Sequence, residues 1–500
     1  MSTNQTSPTS GTAGIRQQDT VRTAEVLFVD LDGTLISTDL FGECLIRACL
    51  CSPKALGSLL LSGFRGRAAL KRATAERITP NIRTLPFREE VLDFVAEQRA
   101  EGRTIVLATA SDSIWSDRIV AELPLFDDAI ASDGKRNLKG RRKLEAIRHY
   151  CHQQGFDTFA YVGDSASDFP IWADASEAYV VPENAATTKK LQRTHKRVAT
   201  IGQPDQSSSA VWQTMRPWQW LKNTLVFAPL ILAHQYTELS LILHAMLAFV
   251  AMSLCASGIY VLNDLLDVEA DRQHPRKRFR PLAAGRLSPM TAVLCGISLC
   301  IGAFSLALLT LPRAFISVLA VYTLLSTVYS VRLKREAIAD VIALAGLHTL
   351  RLIGGGLAVG IEVSDWLLAL SIFLFTSLAF AKRHAELSRV QTEGQFRAAG
   401  RGYVVSDLQL IRTLGPCSGY LAVLIFALYS QSEATRATYT NSAALWLICL
   451  LALFWVSRLW LLAIRGQLNE DPVVFALSDR VSLATCTAVA LLMFLAAGNL

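Results

Sequence analysis

"FVDLDGTLISTD", residues 28–39, decides the reading of the front half of the chain. An apolar run ends at Asp30, Asp32 follows two positions on, and a Gly-Thr pair turns the chain polar. That pattern is a buried strand opening into a loop that presents carboxylates. "AEVLFVD" (24–30) is therefore a strand. "RTIVLATAS" (103–111) and "FAYVGD" (159–164) are two more, with polar residues Thr109 and Asp164 at their ends. Helical stretches at 88–101 and 141–155 separate them. Strand–helix alternation predicts a parallel α/β sheet with ligands at the C-terminal ends of its strands. Residues 40 to about 85 are helical and basic, and read as a small cap inserted after the first strand. Residues 1–23 are rich in Ser and Thr and are expected to be disordered.

The back half has a different composition. The 500 residues are 51% hydrophobic, with a mean hydropathy of +0.33, but the average conceals two populations. After a linker at 201–214, apolar stretches recur at 221–236, 239–262, 289–310, 312–330, 338–360, 364–381, 409–430, 441–463 and 479–498. About 20 apolar residues cross a hydrocarbon core of ~30 Å. About nine transmembrane helices are thus expected over 215–500, behind a soluble domain at 24–200. The net charge of +7 does not point to nucleic acid, because the basic residues collect in the short loops 263–288, 331–337 and 382–408. Such loops face the cytoplasm. The chain is expected to be multi-pass in the cytoplasmic (inner) membrane, with the soluble domain on the cytoplasmic face. The ten cysteines include no CxxC pair and read as small buried hydrophobes.

The soluble domain carries a phosphoryl-transfer set. An aspartate can attack phosphorus if a cation offsets its repulsion from phosphate. Asp30 and Asp164, at strand ends, are suited to share Mg²⁺ through hard oxygen ligands. Asp32 is placed to protonate a leaving oxygen, Thr109 to bond phosphoryl oxygens, and Lys143 to neutralise them. This set resembles the haloacid dehalogenase (HAD) superfamily of phosphohydrolases, through "DLDGT" (30–34), "ATAS" (108–111), Lys143 in "GRRKLEAI" and "GDSASD" (163–168). The resemblance implies a Rossmann-like α/β fold with a helical cap. It makes Asp30 the nucleophile, Asp32 the acid/base and Asp164 a Mg²⁺ ligand supported by Asp168. Asp32 is included in the metal set, and Lys139 is the alternative to Lys143.

A second set lies in "YVLNDLLDVEADRQHPRKRFRPLAAG" (260–285). On a helix Asp264, Asp267 and Asp271 share one face. Carboxylates at a membrane boundary are functional candidates, and three together repel unless a cation bridges them. A Mg²⁺–diphosphate site follows, with Asn263 beside it and Lys277, Arg278 and Arg280 holding further oxygens. The stretch resembles the NDxxDxxxD motif of the UbiA superfamily of intramembrane prenyltransferases, as do "MRPWQWLKN" (215–223) and "YSVRLKREAIADV" (329–341). The resemblance implies an all-α polytopic domain with at least one Mg²⁺.

This sequence departs from that family after the sixth segment. A second aspartate-rich motif is expected there, but "FAKRHAELSRV" (380–390) stands in its place, with Lys382, Arg383 and a single acid, Glu386. A basic pair suits a phosphate anion without a metal. The pattern resembles the decaprenyl-phosphate phosphoribosyltransferases, as does "NEDPVVFALSDR" (469–480). That resemblance implies phosphoribosyl diphosphate as donor and polyprenyl phosphate as acceptor. With those substrates Lys222, Lys382 and Arg383 are placed to hold the lipid phosphate, with Asn223, Lys334 and Asp340 lining the site, and Tyr329 either bonds a phosphate or anchors the chain at the membrane interface. Arg351 is costly in lipid and is expected to face the cavity, while Gly354, Gly355 and Gly356 permit close helix packing. The HAD domain would then remove the 5-phosphate from the lipid product. The alternative is an aromatic prenyltransferase beside an unrelated phosphatase. A homo-oligomer is compatible with either.

Overall fold

The computed structural model describes residues 24–496, except 52, 183–184, 195–196, 204–206, 395, 398–399, 434, 436–438, 440–442 and 469–471. The expected disorder of 1–23 and part of the 469–480 stretch lie outside the described residues.

The soluble part is a six-stranded sheet in the order β3-β2-β1-β4-β5-β6, parallel at every pairing. Its strands are β1 (Val26–Val29), β2 (Thr104–Asp112), β3 (Asp128–Ser132), β4 (Phe159–Gly163), β5 (Glu177–Val180) and β6 (Val198–Thr200). The three expected strands are its centre. All four residues of β1 are buried, as a parallel strand covered on both faces requires. Leu27, Val29, Ile105 and Leu107 pack into one apolar layer, and Val26, Phe28, Val106 and Ala108 into the other.

The expected cap is three helices, α1 (Leu40–Cys51), α2 (Pro53–Phe64) and α3 (Arg67–Ala75). The sheet is flanked by α4 (Glu89–Ala100), α5 (Ser113–Glu122), α6 (Arg141–Gln154), α7 (Phe169–Trp172) and α8 (Ala185–Thr194). The stretch expected to be a linker contains a helix, α9 (Ser207–Met215).

The remainder is helical: α10 (Ala228–Leu232), α11 (Leu239–Gln273), α12 (Pro289–Thr310), α13 (Arg313–Val331), α14 (Ala339–Val359) and α15 (Asp365–Thr392). After these come α16 (Leu408–Ser430), α17 (Ala443–Ile464), α18 (Pro472–Ser478) and α19 (Arg480–Ala496). Among the described residues seven helices are long and apolar enough to cross a membrane. The other two expected segments differ. The first is a 3₁₀ stretch, Pro217–Phe227, running into five-residue α10, with a proline at the head of each; proline favours a first turn and interrupts an interior. The last is the 17-residue apolar helix α19.

Apolar side chains such as Leu294, Ile301, Leu308 and Leu309 point outward, as lipid-facing residues do. Small residues bring backbones together. A Cβ on Gly258 of α11 would lie 2.8 Å from the Gly296 carbonyl of α12. Gly355 meets the Val226 backbone in the same way, the close packing expected of the Gly354–Gly356 run. An apolar cavity of about 450 Å³ lies at one end of the bundle, among Trp366, Leu370, Phe426, Ile448 and Trp455.

Candidate functional sites

The sheet assembles the first site. Val29 pairs with Leu107 on one side and Val162 on the other, so Asp30 and Asp164 emerge at neighbouring strand ends, while Thr109, expected at the end of its strand, lies inside β2, which runs on to Asp112. Ligand oxygens of Asp30, Asp164 and Asp168 all lie within 4.8 Å of one another, and all three residues are buried. Lys143, on α6, reaches in from the flank. Its Nζ is 2.7 Å from Asp30 Oδ2 and 3.8 Å from Asp168 Oδ1, so Lys143 rather than Lys139 meets the nucleophile candidate. Burial raises the Asp30 pKa, with Lys143 opposing. Burial also works against charge on Lys143, but Asp30 and Asp168 outweigh it and hold the ammonium above its ordinary value. Three carboxylates against one ammonium leave excess negative charge in a closed pocket. The donor set fits a hard divalent cation such as Mg²⁺.

Asp32 stands apart from that cluster. Its Oδ1 accepts from Leu40 N at 2.8 Å and its Oδ2 from Ser111 Oγ at 2.7 Å. The expected metal set thus loses Asp32, because the side chain caps α1 instead. Burial, reinforced by Asp39, pushes its pKa up to about 7. A carboxyl that keeps its proton near neutrality is suited to protonate a leaving oxygen. Thr109 is fully buried, and its hydroxyl accepts from Ser111 N. Gly33 has φ +79°, and a Cβ there would fall on the Asp164 carboxylate.

Tyr161 joins Lys143 to Asp168, a link that the motifs alone do not reveal. Lys143 Nζ donates to its hydroxyl, which donates to Asp168 Oδ1, both at 3.0 Å. The available signal is a tyrosine in a strand apolar enough to be wholly buried, which needs a polar partner. Tyr161→Phe is expected to cost about 1–2 kcal/mol of stability and to slow hydrolysis of an aryl phosphate roughly 10–100-fold. Thermal unfolding and initial rates check this, and unchanged values would remove Tyr161 from the site.

The second site lies where α11 ends. Asp264 and Asp271 are buried. Each acid of the motif meets a basic side chain from elsewhere. Asp264 pairs with Arg216 and, at 3.2 Å, with Arg280, which also reaches Asp271 at 2.5 Å. Asp267 takes Lys334 at 2.5 Å and Asn263 Nδ2 at 3.0 Å. The repulsion expected among the acids is relieved by these cations. Among the described residues they form no three-ligand cluster like that of the soluble domain.

Beside them is a second polar group. Arg383 is fully buried. It pairs with Asp340 at 2.6 Å and with Glu386, and donates to Tyr329 Oη at 3.2 Å. Arg401 approaches the same Tyr329 hydroxyl at 3.2 Å and Glu386 at 3.5 Å. Tyr403 donates to Asp340 Oδ1 at 2.7 Å. Lys222, Lys277 and Lys382 are half-buried, and Arg278 is exposed over the Phe279 ring. Arg351 does not join this group. It donates to Asn223 Oδ1 at 2.7 Å and Tyr322 Oη at 2.9 Å. It lies 11 residues along α14 from Asp340, about 16 Å deeper.

Arg216, Arg401 and Tyr403 are site residues that sequence reasoning missed. Arg216 opens the "RPWQWLKN" stretch, where a cation ahead of an apolar segment is the available clue.

The two sites and the helical bundle define an integral-membrane enzyme joined to a phosphohydrolase domain. The family model of the UbiA prenyltransferase family matches residues 224–478, and that of haloacid dehalogenase-like hydrolases matches 27–172. The chain belongs to the UbiA prenyltransferase family and carries an HAD hydrolase domain in front. An uncharacterized protein, y4nM, of Sinorhizobium fredii is 39% identical over 460 residues, 91% of this chain and 88% of its own. The nodulation protein NoeC of Azorhizobium caulinodans is 34% identical over 57% of this chain and 92% of its own. A decaprenyl-phosphate phosphoribosyltransferase of Mycobacterium tuberculosis is 32% identical over 55% of this chain and 89% of its own.

Proposed function

We propose that the membrane region transfers 5-phosphoribose from phosphoribosyl diphosphate to a polyprenyl phosphate, and that the HAD domain removes the 5-phosphate from the product. The observation that carries this reading is the polar group around Arg383. The acids nearest the place of a second metal motif, Asp340 and Glu386, are both engaged by Arg383. Arg383 is thus buried between two acids rather than presented to the lipid as the sequence suggests; Arg401, Lys277 and Lys382 also lie near Glu386, and this excess of cations supports a lipid phosphate beside the acids of α11. The similarity to decaprenyl-phosphate phosphoribosyltransferases supports it.

In the first step a lipid phosphate oxygen attacks C1 of the donor, and the C1–O bond to diphosphate breaks. Asp264, Asp267 and Asp271 are the residues that would hold Mg²⁺, provided Arg280 and Lys334 leave their ion pairs with these acids for the donor's phosphates; the ion would supply charge that offsets the diphosphate. Arg280, Lys277 and Arg278 bind its outer oxygens, while Lys382 and Lys222 draw the lipid phosphate in. In the second step Asp30 attacks the 5-phosphate and an aspartyl-phosphate forms. Asp32 gives its proton to the ribosyl oxygen, and water then releases inorganic phosphate. Asp164 and Asp168, with Asp30, would hold the Mg²⁺ that screens the nucleophile from the phosphate. The soluble domain is read as cytoplasmic, from the basic loops on its side.

The test uses full-length protein in nanodiscs with decaprenyl phosphate, labelled phosphoribosyl diphosphate and Mg²⁺. Label is expected in the lipid fraction, and EDTA abolishes it. Unlabelled lipid, together with reaction of a prenyl diphosphate with an aromatic acid, would overturn the reading.

A further inference from the structure

We propose that the soluble domain has a second task besides hydrolysis: through Glu43 and Ser37 it clamps loop 274–288 in place over the acidic end of α11. The proposal needs only that this end is the transferase centre, whichever donor it takes.

The clamp begins in the motif loop. Asp32 accepts from Leu40 N in the first turn of α1, which ties the helix back to "DLDGT". One face of α1 lies on α11. Glu43 meets Arg272 through two hydrogen bonds, 2.9 and 2.8 Å, with side chains only 12% and 5% exposed. One turn on, Arg47 pairs with Glu269. The charges are crossed, Glu43 and Arg47 against Arg272 and Glu269, which fixes the register of the two helices. Ile46 packs against an apolar group that includes Val261, Leu265 and Leu282.

Arg272 is bound on its other side as well. Its Nε donates to the Ala283 carbonyl at 3.0 Å, closing the loop onto the helix. The next residue, Ala284, offers its carbonyl to Ser37 Oγ at 3.0 Å. The other acceptor near that hydroxyl, Pro86 O at 3.1 Å, already takes the Ser37 N–H. Gly285, with φ +73°, lies so close that a Cβ would come within 2.8 Å of the Ser37 carbonyl. The loop is thus gripped at 283, 284 and 285, and Arg280 within it reaches Asp264 and Asp271. Removing Glu43 strands a buried guanidinium. Arg272 must then turn toward water, and its hold on Ala283 goes with it. Glu43, Ser37 and Arg272 are positioning residues and touch no reacting atom.

The experiment compares full-length wild type with Glu43→Ala, Glu43→Gln and Ser37→Ala in detergent. One readout is hydrogen–deuterium exchange in peptides covering 274–288. The other is calorimetric affinity for inorganic diphosphate with Mg²⁺. Glu43→Ala is expected to speed exchange in the loop and weaken diphosphate binding, each about tenfold or more. Glu43→Gln, which keeps hydrogen bonds without the charge, should be intermediate, and Ser37→Ala should show the same trend more weakly. Arg148→Ala, which breaks an exposed ion pair with Asp174 outside the clamp, should change neither. Exchange and affinity within twofold of wild type in Glu43→Ala would overturn the proposal. If Glu43→Ala does not fold, Glu43→Gln and Ser37→Ala decide in its place, and both within twofold of wild type would overturn it equally. Neither readout involves a ribosyl donor, so a failed phosphoribosyl assay leaves this result standing, and the reverse holds.

Discussion

An Asp264→Asn enzyme is expected to label polyprenyl phosphate about 1,000-fold more slowly than wild type. The substitution keeps shape and removes charge. Asp264 is 2% exposed and lies between Arg216 and Arg280. Without its charge the two guanidinium groups are left with one counterion fewer, and under the proposed function the divalent cation would lose a ligand. Removal of a preorganised electrostatic element costs on the order of 10²–10³ in rate, and the lost ligand places the effect at the upper end. Initial rates with labelled phosphoribosyl diphosphate measure it, and hydrolysis of a small aryl phosphate, which depends on the Asp30 cluster, reports that the chain is folded. A loss of less than tenfold would remove Asp264 from the centre of the reaction.

Asp30→Asn acts on the other half. The amide cannot attack phosphorus, so removal of the 5-phosphate should fall by on the order of 10⁴ or more. Transfer to lipid continues, and the phosphorylated lipid accumulates at the expense of its dephosphorylated form. Mass spectrometry of the lipid extract distinguishes the two species. An unchanged ratio would show that the soluble domain acts on some other phosphomonoester.

The sequence displayed the parts that are local. Carboxylates at strand ends, apolar runs of membrane length and acids three and four apart are short-range patterns, legible without the fold. Strands β3, β5 and β6 are three to five residues long, too short to show a period; β1 and β4 are no longer, but the motif carboxylates Asp30 and Asp164 directly after them marked their ends. The first expected span, 221–236, failed because Pro229 divides a hydrophobic run whose length suggested a helix. The site partners escaped for a different reason. Arg272 and Glu43 are 229 positions apart, and Tyr329 and Arg401 are 72 apart. Such pairings exist only once the chain has folded. The role of Asp32 as a helix cap was equally hidden, since the motif shows a carboxylate but not which way it turns.

The 35 residues of α11 measure about 52 Å, some 20 Å more than a hydrocarbon core. The acids occupy the surplus, and the soluble domain rests against it. Under the proposed function, the soluble domain packed on this unbroken extension keeps both centres near the headgroups. A lipid phosphate can therefore reach either one by sliding sideways, without being lifted out of its leaflet. The working concentration for both is then the number of acceptor molecules per unit area of membrane. Diluting the acceptor with inert phospholipid should slow both steps in parallel, whereas adding buffer volume at constant lipid composition should slow neither.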